Sequence, residues 1–536
     1  MFDKSSYQKE TKLFSVVNKQ YVAAWDEHHI FCRPQELINW VRVAKEDLNY
    51  LYFIEALVVT NPDGNNKFDF ELDIIVANLE SHQRLHLHVQ FNKSEIIPSI
   101  VNFYPASRYA LREQADLYDF KLDTPLESLF VTERNKNIFS EEWSLKEDSK
   151  PFHAPKLRFN PNKSEAPYPE ESWRWVHADL FSQSTLGKFE AFYCFDPFKL
   201  VDLRIRLGSY FKGIEAELCK KDHKHITYLL EQVNHLASPF YSGAWAINIE
   251  EILNINITER AMGLRIVLWE LTRIAEHLFV IYEMCSLLNL NEAKFYLDAY
   301  ERICELLETL TGHRSGQGMI KIGGINFDIP AGWIIEFQDF NKLFLKNIVV
   351  YHQHLISNAK FRTLLNHSQV SSHSVLQYGV SGPNLRAAGI NYDLRKSRPL
   401  YFYQDIDFDV PVGVKGTSFD RYLIRYEEMI QSSRIITQVL DNLPLGSIDS
   451  NVDELDWMNS LRSLNKEFHY SSLEAPNGET GIVYVQGREG QIKRLKIKSP
   501  SLFLAQALKE FLTGVEEKSV PVALASLGIR EREMER

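Results

Sequence analysis

Apolar and polar residues follow two different periods along this chain. In RLHLHVQF, Leu85, Leu87, Val89 and Phe91 take every second position, which is the period of a half-buried strand. FDFELDIIVANL precedes it, with SHQ between the two runs as a hairpin loop. Upstream, RPQELINWVRVAKEDLNYLYFIEALVVT reads as a helix followed by a strand, with Pro34 suited to the helix's first turn. NPDG, from Asn61 to Gly64, is a turn. Residues 1–134 are therefore expected to form a small α/β domain.

Periodicity is lost from 135 to 171, where the chain is polar and contains prolines. That segment is expected to be a linker. A second domain is expected over 172–536. It opens with LGKFEAFYCFDPFKLVDLRIRLG, two strands across a turn at Asp196–Pro197. Helical periods follow. TERAMGLRIVLWELTRIAEHLFVIYEMCSLLNL is a long apolar helix with Thr258 as its N-cap. AKFYLDAYERICELLETLTG is a second, ended by Gly312. FQDFNKLFLKNIVVYHQHLISNAKFRTLLN and DRYLIRYEEMIQSSRIITQVLDNLPLG complete the set. The fold class is α+β: a small N-terminal α/β domain followed by a mainly α-helical one.

Composition narrows the function. A chain of 536 residues with 45% hydrophobic content can bury sizeable cores in two or three domains. The net charge of −11 excludes a nucleic-acid binder that works through overall charge. Five widely spaced cysteines form no C-x-x-C pair, which fits a reducing, cytoplasmic compartment. The N-terminus lacks the apolar core of a signal peptide, and no run of eighteen apolar residues exists. Any membrane contact is then expected through partners.

Candidate chemistry is sparse. Glu270, Arg273 and His277 share one face of the long helix among apolar neighbours. The plain reading is a buried structural pair with a satisfied histidine. DHKH, at 222–225, has histidines two apart, which suits neither a helix face nor a zinc spacing, so a solvated loop is expected. There is no P-loop and no dinucleotide fingerprint. The stretch GVSGPNLRAAGINYDLRKSRP is glycine-rich and strongly basic within an acidic protein.

Four stretches, in order, resemble one family: LRIVLWELTRIAEHL, TGHRSGQGMIKIGGINFDIPAGW, YGVSGPNLRAAGINYDLRKSRP and DFDVPVGVKGTSFDRYLIRYEEMIQSSRII. They are similar to the signatures of the D-type subunit of bacterial NADH:quinone oxidoreductase, respiratory complex I, over about 173–446. FYPASRYALREQADLYDFKL resembles the signature of that complex's C-type subunit, carried here by Arg112, Glu113 and Asp116. The resemblance implies a fused C/D subunit whose second domain has the fold of the nickel–iron hydrogenase large subunit. It also implies an oxidoreductase active only within a complex. Electrons would pass from NAD(P)H on a distant subunit, through iron–sulfur clusters on a neighbouring one, toward quinone, coupled to ion pumping. The partners implied are that iron–sulfur subunit and membrane-arm subunits, with the chain peripheral on the inner face of the bacterial cell membrane.

The site departs from the family pattern. Hydrogenase thiolate positions fall at Asn234 and Ala237 and in ASLGIREREMER, which has no cysteine. Without thiolates no nickel–iron site forms, and no metal is expected on this chain. Two residues contact the quinone head-group in the family. The histidine's place is Leu186, in STLG, and the tyrosine's is His235, beside Asn234. Leucine neither donates a hydrogen bond nor moves a proton, whereas His235 can do both and is the one catalytic candidate. Glu270, Arg273 and His277 are then a buried polar, coupling set. In the basic loop, Arg386, Asp393 and Arg395 are expected to face an interface with the iron–sulfur subunit. Chains lacking both ligand sets resemble hydrogenase-4-type subunits, which leaves a second reading: a structural or coupling subunit with no quinone or metal chemistry of its own.

Overall fold

The computed structural model describes residues 27–60, 67–124, 174–177, 190–207, 211, 213–220, 223–452, 454–463, 468–487, 491–534 and 536. The expected linker at 135–171 and the NPDG turn lie outside them, as does Leu186 with the rest of STLG. The chain divides into two compact units. The first is Met1–Arg158 together with Leu207–Ala216 and Leu376–Gly379; the second comprises Phe159–Arg206, Glu217–Val375 and Val380–Arg536.

The first unit is built on a four-stranded sheet: β1 (His28–Cys32), β2 (Tyr52–Thr60), β3 (Phe70–Ala77) and β4 (Arg84–Phe91), in the order β1-β4-β3-β2. β1 runs parallel to β4, and the other pairs are antiparallel. Helix α1 (Pro34–Arg42) carries Pro34 at its start, where the missing N–H costs nothing. Helix α2 (Ser107–Tyr118) packs on β2, and Gln114 Oε1 accepts the Val58 N–H at 3.0 Å. Leu85, Leu87, Val89, Leu72, Ile74 and Val76 bury one sheet face. The expected hairpin is present with a longer connection, closed by Asn78 N donating to Gln83 O at 3.0 Å. β4 is not half-buried, however. Its alternate residues Arg84, His86 and His88 are buried as well.

The second unit opens with an antiparallel sheet, β5 (Arg174–His177), β6 (Glu190–Asp196) and β7 (Lys199–Arg206). The expected turn at Asp196–Pro197 joins its last two strands. The segment expected as a solvated loop is instead helical from His223 to Glu231 (α3), because Ile226 and Leu230, one turn apart, both reach the core. α4 (Ser238–Leu253) follows, and then α5 (Glu259–Leu287), capped by Thr258, whose Oγ1 accepts the Ala261 N–H at 3.3 Å. α5 is buried around almost its whole circumference, so it is the axis of the unit. Against it pack α6 (Ala293–Thr311), ended by Gly312 with φ 78°, and α8 (Ser418–Asp441), and α7 (Trp333–Ser357) packs on both of these. A Thr417–Asp420 capping box opens α8. A final antiparallel sheet, β8 (Phe468–Ala475), β9 (Gly478–Gln486) and β10 (Ile492–Lys498), precedes α9 (Pro500–Leu512) and the C-terminal residues.

Candidate functional site

The basic loop holds the second unit's centre together. Gly382 has φ +67° and begins a short helix, Gly382–Ala387. A Cβ there would come within 2.5 Å of the Gly478 backbone at the β8–β9 turn. Glycine at both positions lets the two backbones meet, and Ser381 Oγ accepts the Glu479 N–H at 2.8 Å. That approach delivers Arg386 into the core, where it is fully buried. Its Nε and Nη2 donate to Glu428 Oε1 at 2.9 and 2.7 Å, and Nη1 donates to Glu474 Oε1 at 2.7 Å. Asp393 takes Arg395 through two bonds, at 3.0 and 2.7 Å. Arg395 reaches on to Glu270 at 3.1 Å.

Sequence reasoning expected Arg386, Asp393 and Arg395 to pair across an interface. The structure corrects this: they are buried, and their partners belong to the same chain. A basic string on a solvated loop and one threaded into a core look alike until the facing carboxylates are located. Two of those, Glu428 and Glu474, lie on elements more than forty residues away.

Glu270, Arg273 and His277 on α5 are all fully buried. Burial favours the neutral form of Glu270. Arg273 at 3.1 Å, Arg395, and hydroxyls of Ser432 at 2.5 Å and Tyr403 at 2.7 Å nonetheless hold its carboxyl below the usual range. Burial pushes His277 down to about 4, so it is neutral. Its Nε2 donates to Glu428 at 2.8 Å while Nδ1 accepts from Arg425 at 3.0 Å. Burial would raise the Glu428 carboxyl, but Arg386 holds it well below the ordinary value; the Glu474 carboxyl is raised by burial despite Arg386. Arg273, Arg386, Arg395 and Arg425 thus face Glu270, Asp393, Glu428 and Glu474, and the charges balance.

Asn234 and His235 lie between α3 and α4, at the margin of this scaffold. The C-terminal residues fold back onto both. Asn234 Nδ2 donates to Glu533 Oε1 at 2.5 Å, and Arg532 contacts His235 Nε2. Gln317 lies 3.3 Å from His235 Nδ1. The nearer Gln317 atom is its amide nitrogen, which also donates to Ser238 Oγ at 3.2 Å. His235 is half-buried and Arg532 is exposed. A third polar group was missed from sequence. Glu231, at the end of α3, is buried; desolvation pushes its carboxyl up to about 7 despite two 3.1 Å contacts from the Gly318 N–H. Only the folding of the Thr311–Gly318 turn onto α3 reveals it. His235 is therefore not the only titratable group at this margin.

A continuous hydrogen-bonded line links this margin to α5. Glu533 is held by Asn234 and Ser501, and Ser501 Oγ accepts the Arg530 N–H at 2.9 Å. Arg530 pairs with Glu276 at 2.7 Å and Glu283 at 3.2 Å. Arg425, which donates to His277 Nδ1, faces Glu276 through charge rather than a hydrogen bond.

A closed ion-pair core with a half-buried histidine at its edge belongs to a class that comparison makes explicit. Residues 294–536 match the family model described as respiratory-chain NADH dehydrogenase, 49 Kd subunit, and residues 30–129 that of the 30 Kd subunit. Over 98% of both chains, the sequence is 26% identical to the NADH-quinone oxidoreductase C/D subunit of Bdellovibrio bacteriovorus. It is 30% identical to the D 2 subunit of the Solibacter usitatus oxidoreductase, covering 66% of this chain and 94% of that one. It is also 30% identical to the D subunit of the Protochlamydia amoebophila oxidoreductase, covering 60% and 85%. The chain belongs to the NADH-quinone oxidoreductase subunit family, with its C-type and D-type portions fused in one polypeptide. Membership implies a multi-subunit complex. Among the described residues, no helix is long and apolar enough to cross a membrane.

Proposed function

We propose that this chain is the peripheral-arm subunit that presents a quinone head-group to electrons arriving from a neighbouring iron–sulfur subunit, with NAD(P)H oxidised on a distant subunit and the energy passed to ion pumping. Membrane-arm subunits of the same complex hold it on the inner face of the bacterial cell membrane. Quinone reduction consumes two electrons and two protons. At the margin of the core, Arg532 and His235 offer a cationic hydrogen-bonding pair, and Glu231 offers a carboxyl that exchanges its proton near neutral pH. The observation that carries the reading is the gathering of polar groups at this margin: His235 held by Arg532 and Gln317, beside the buried Glu231 carboxyl that accepts the Gly318 N–H at 3.1 Å. His235 takes the direct contact that the family's tyrosine makes, with Asn234 beside it; Leu186, at the family histidine's position, adds no donor.

The test is quinone reduction by the purified intact complex, with its subunits and redox centres identified. His235→Ala should abolish turnover, and Glu231→Gln should flatten its pH profile around neutrality. Unchanged turnover in both variants removes the reading.

The hydrogen-bonded line from Asn234 to Glu276 on α5 favours a second reading: a coupling subunit of hydrogenase-4 type that transmits movement and handles no substrate. A contiguous line is not itself a demonstration of coupling. On that reading, Arg530→Met lowers ion pumping per electron while His235→Ala leaves turnover intact.

A further inference from the structure

The polar face of the first unit's sheet is unlike an ordinary core. His29 on β1 pairs in register with His86 on β4, and His88 follows two residues later on the same face. Asp73 on β3 stands opposite His88. The three histidines and Asp73 are each 5% exposed or less, and Glu27 is 6% exposed. One nitrogen from each ring lies within 4.8 Å of the other two.

The hydrogen bonds assign the nitrogens. His88 Nδ1 is 3.1 Å from Glu71 Oε1, and His86 Nδ1 is 3.3 Å from Asp73 Oδ2. Each carboxylate takes an Nδ1–H, which turns the lone pair of each Nε2 outward from that contact. His88 Nε2 then meets His29 Nδ1 at 2.9 Å, with the two rings within 14° of parallel. His86 Nε2 meets Glu27 Oε2 at 3.4 Å. Without an ion a proton on Nε2 bridges that contact, and a bound cation would take that proton's place. The face also gathers three carboxylates, Glu27, Glu71 and Asp73, with Arg84 at 3.4 Å from Glu27.

From this arrangement we propose that the first unit binds a divalent transition-metal ion of the zinc class, through His29 Nδ1, His86 Nε2, His88 Nε2 and Glu27, with Asp73 and Glu71 orienting the β4 imidazoles. Metal-bound histidines commonly donate their other N–H to a carboxylate, and both β4 histidines do so here. The three histidines form the cluster, and Glu27, 3.4 Å from His86 Nε2, would move in as the fourth ligand of a closed structural site. With zinc–nitrogen bonds of about 2.0–2.1 Å, tetrahedral ligand nitrogens stand about 3.3 Å apart. The separations here, 2.9 Å at the closest and within 4.8 Å throughout, bracket that value. The site is independent of the quinone reading and lies in the other unit. It also revises the expectation of no metal, which rested on thiolates and on helical spacing. Histidines two apart on a strand share a face.

The test uses the full-length chain without an affinity tag, stripped of metal and titrated with Zn²⁺ and Co²⁺. A single tight equivalent is expected, with the intense visible absorption of four-coordinate cobalt and a rise in Tm on adding zinc. His88→Ala and His29→Gln should abolish that binding, and Asp73→Asn should weaken it about 10–100-fold. If His88→Ala does not fold, the cobalt spectrum of the unaltered chain decides: no four-coordinate absorption overturns the proposal. Undiminished binding in folded His29→Gln overturns it as well, and leaves the cluster as a hydrogen-bonded polar core.

Discussion

Replacing Arg386 with methionine tests whether the buried charge balance holds the second unit together. The side chain is fully buried and donates three bonds to two carboxylates, Glu428 and Glu474. Methionine fills part of the volume but leaves both acids short of a cation. Removing one partner of a buried pair costs about 3–5 kcal/mol, because the remaining charge keeps its desolvation penalty. For a unit of roughly 360 residues, the entropy of unfolding converts this into a fall of about 4–7 °C in the apparent Tm. The loss should also depend on pH. Burial already raises the Glu474 carboxyl, so its folded form holds a proton more readily than the unfolded chain does, and its contribution to stability falls as pH rises. Removing Arg386 raises Glu474 further and releases Glu428, so the deficit should be largest near pH 8 and shrink toward pH 5 as both acids protonate. Calorimetric scans of the variant and the parent chain at the two pH values measure this. A fall below about 1 °C at both would refute the reasoning, since a buried guanidinium with this many charged partners cannot be a spectator.

Glu231→Gln should stabilise the chain at pH 8 by up to about 3 kcal/mol, with the difference vanishing near pH 4. The folded carboxyl titrates at about 7 against an ordinary 4.5, so its penalty accrues as pH rises through that window; thermal scans across pH check it. His277 titrates at about 4 when folded, against 6.5, so the native chain loses stability as pH falls from 6.5 toward 4. His277→Gln should be less stable at neutrality yet show a flatter acid limb in the same scans. Gly382→Ala places a Cβ against the Gly478 backbone in a left-handed conformation and should cost about 2–3 kcal/mol, read by chemical denaturation.

Long helices were legible because their signals are local. Thr258 caps α5 and Gly312 closes α6 where the pattern placed them. The shared face of Glu270, Arg273 and His277 followed from helical spacing alone. What failed to show was whatever depends on distant chain. The acids that neutralise Arg386 come from α8 and β8, and the carboxylate beside Gln317 becomes notable only through desolvation. The histidine cluster was hidden for a related reason. RLHLHVQF alternates as a half-buried strand should, yet its polar positions turn out to be interior, because β1 pairs alongside in register and brings His29.

The intact part of the family pattern and the altered part therefore say different things. Arg386, Asp393, Arg395, Glu270 and Glu428 satisfy one another inside the core. A fully paired buried network is retained by any chain that must fold this way, because losing one member strands another. Its presence is an argument about stability and is silent on electron transfer. Position 235 carries no such constraint, because His235 meets the exposed Arg532, whereas Asn234 is one of two donors to the buried Glu533, with Ser501 the other. Chemistry and coupling must be told apart at that margin. Arg530 reaches the core carboxylates Glu276 and Glu283, whereas Arg532, two residues on, reaches only as far as His235 among the contacts described. Variants at these two arginines separate what the core requires from what the proposed quinone site requires.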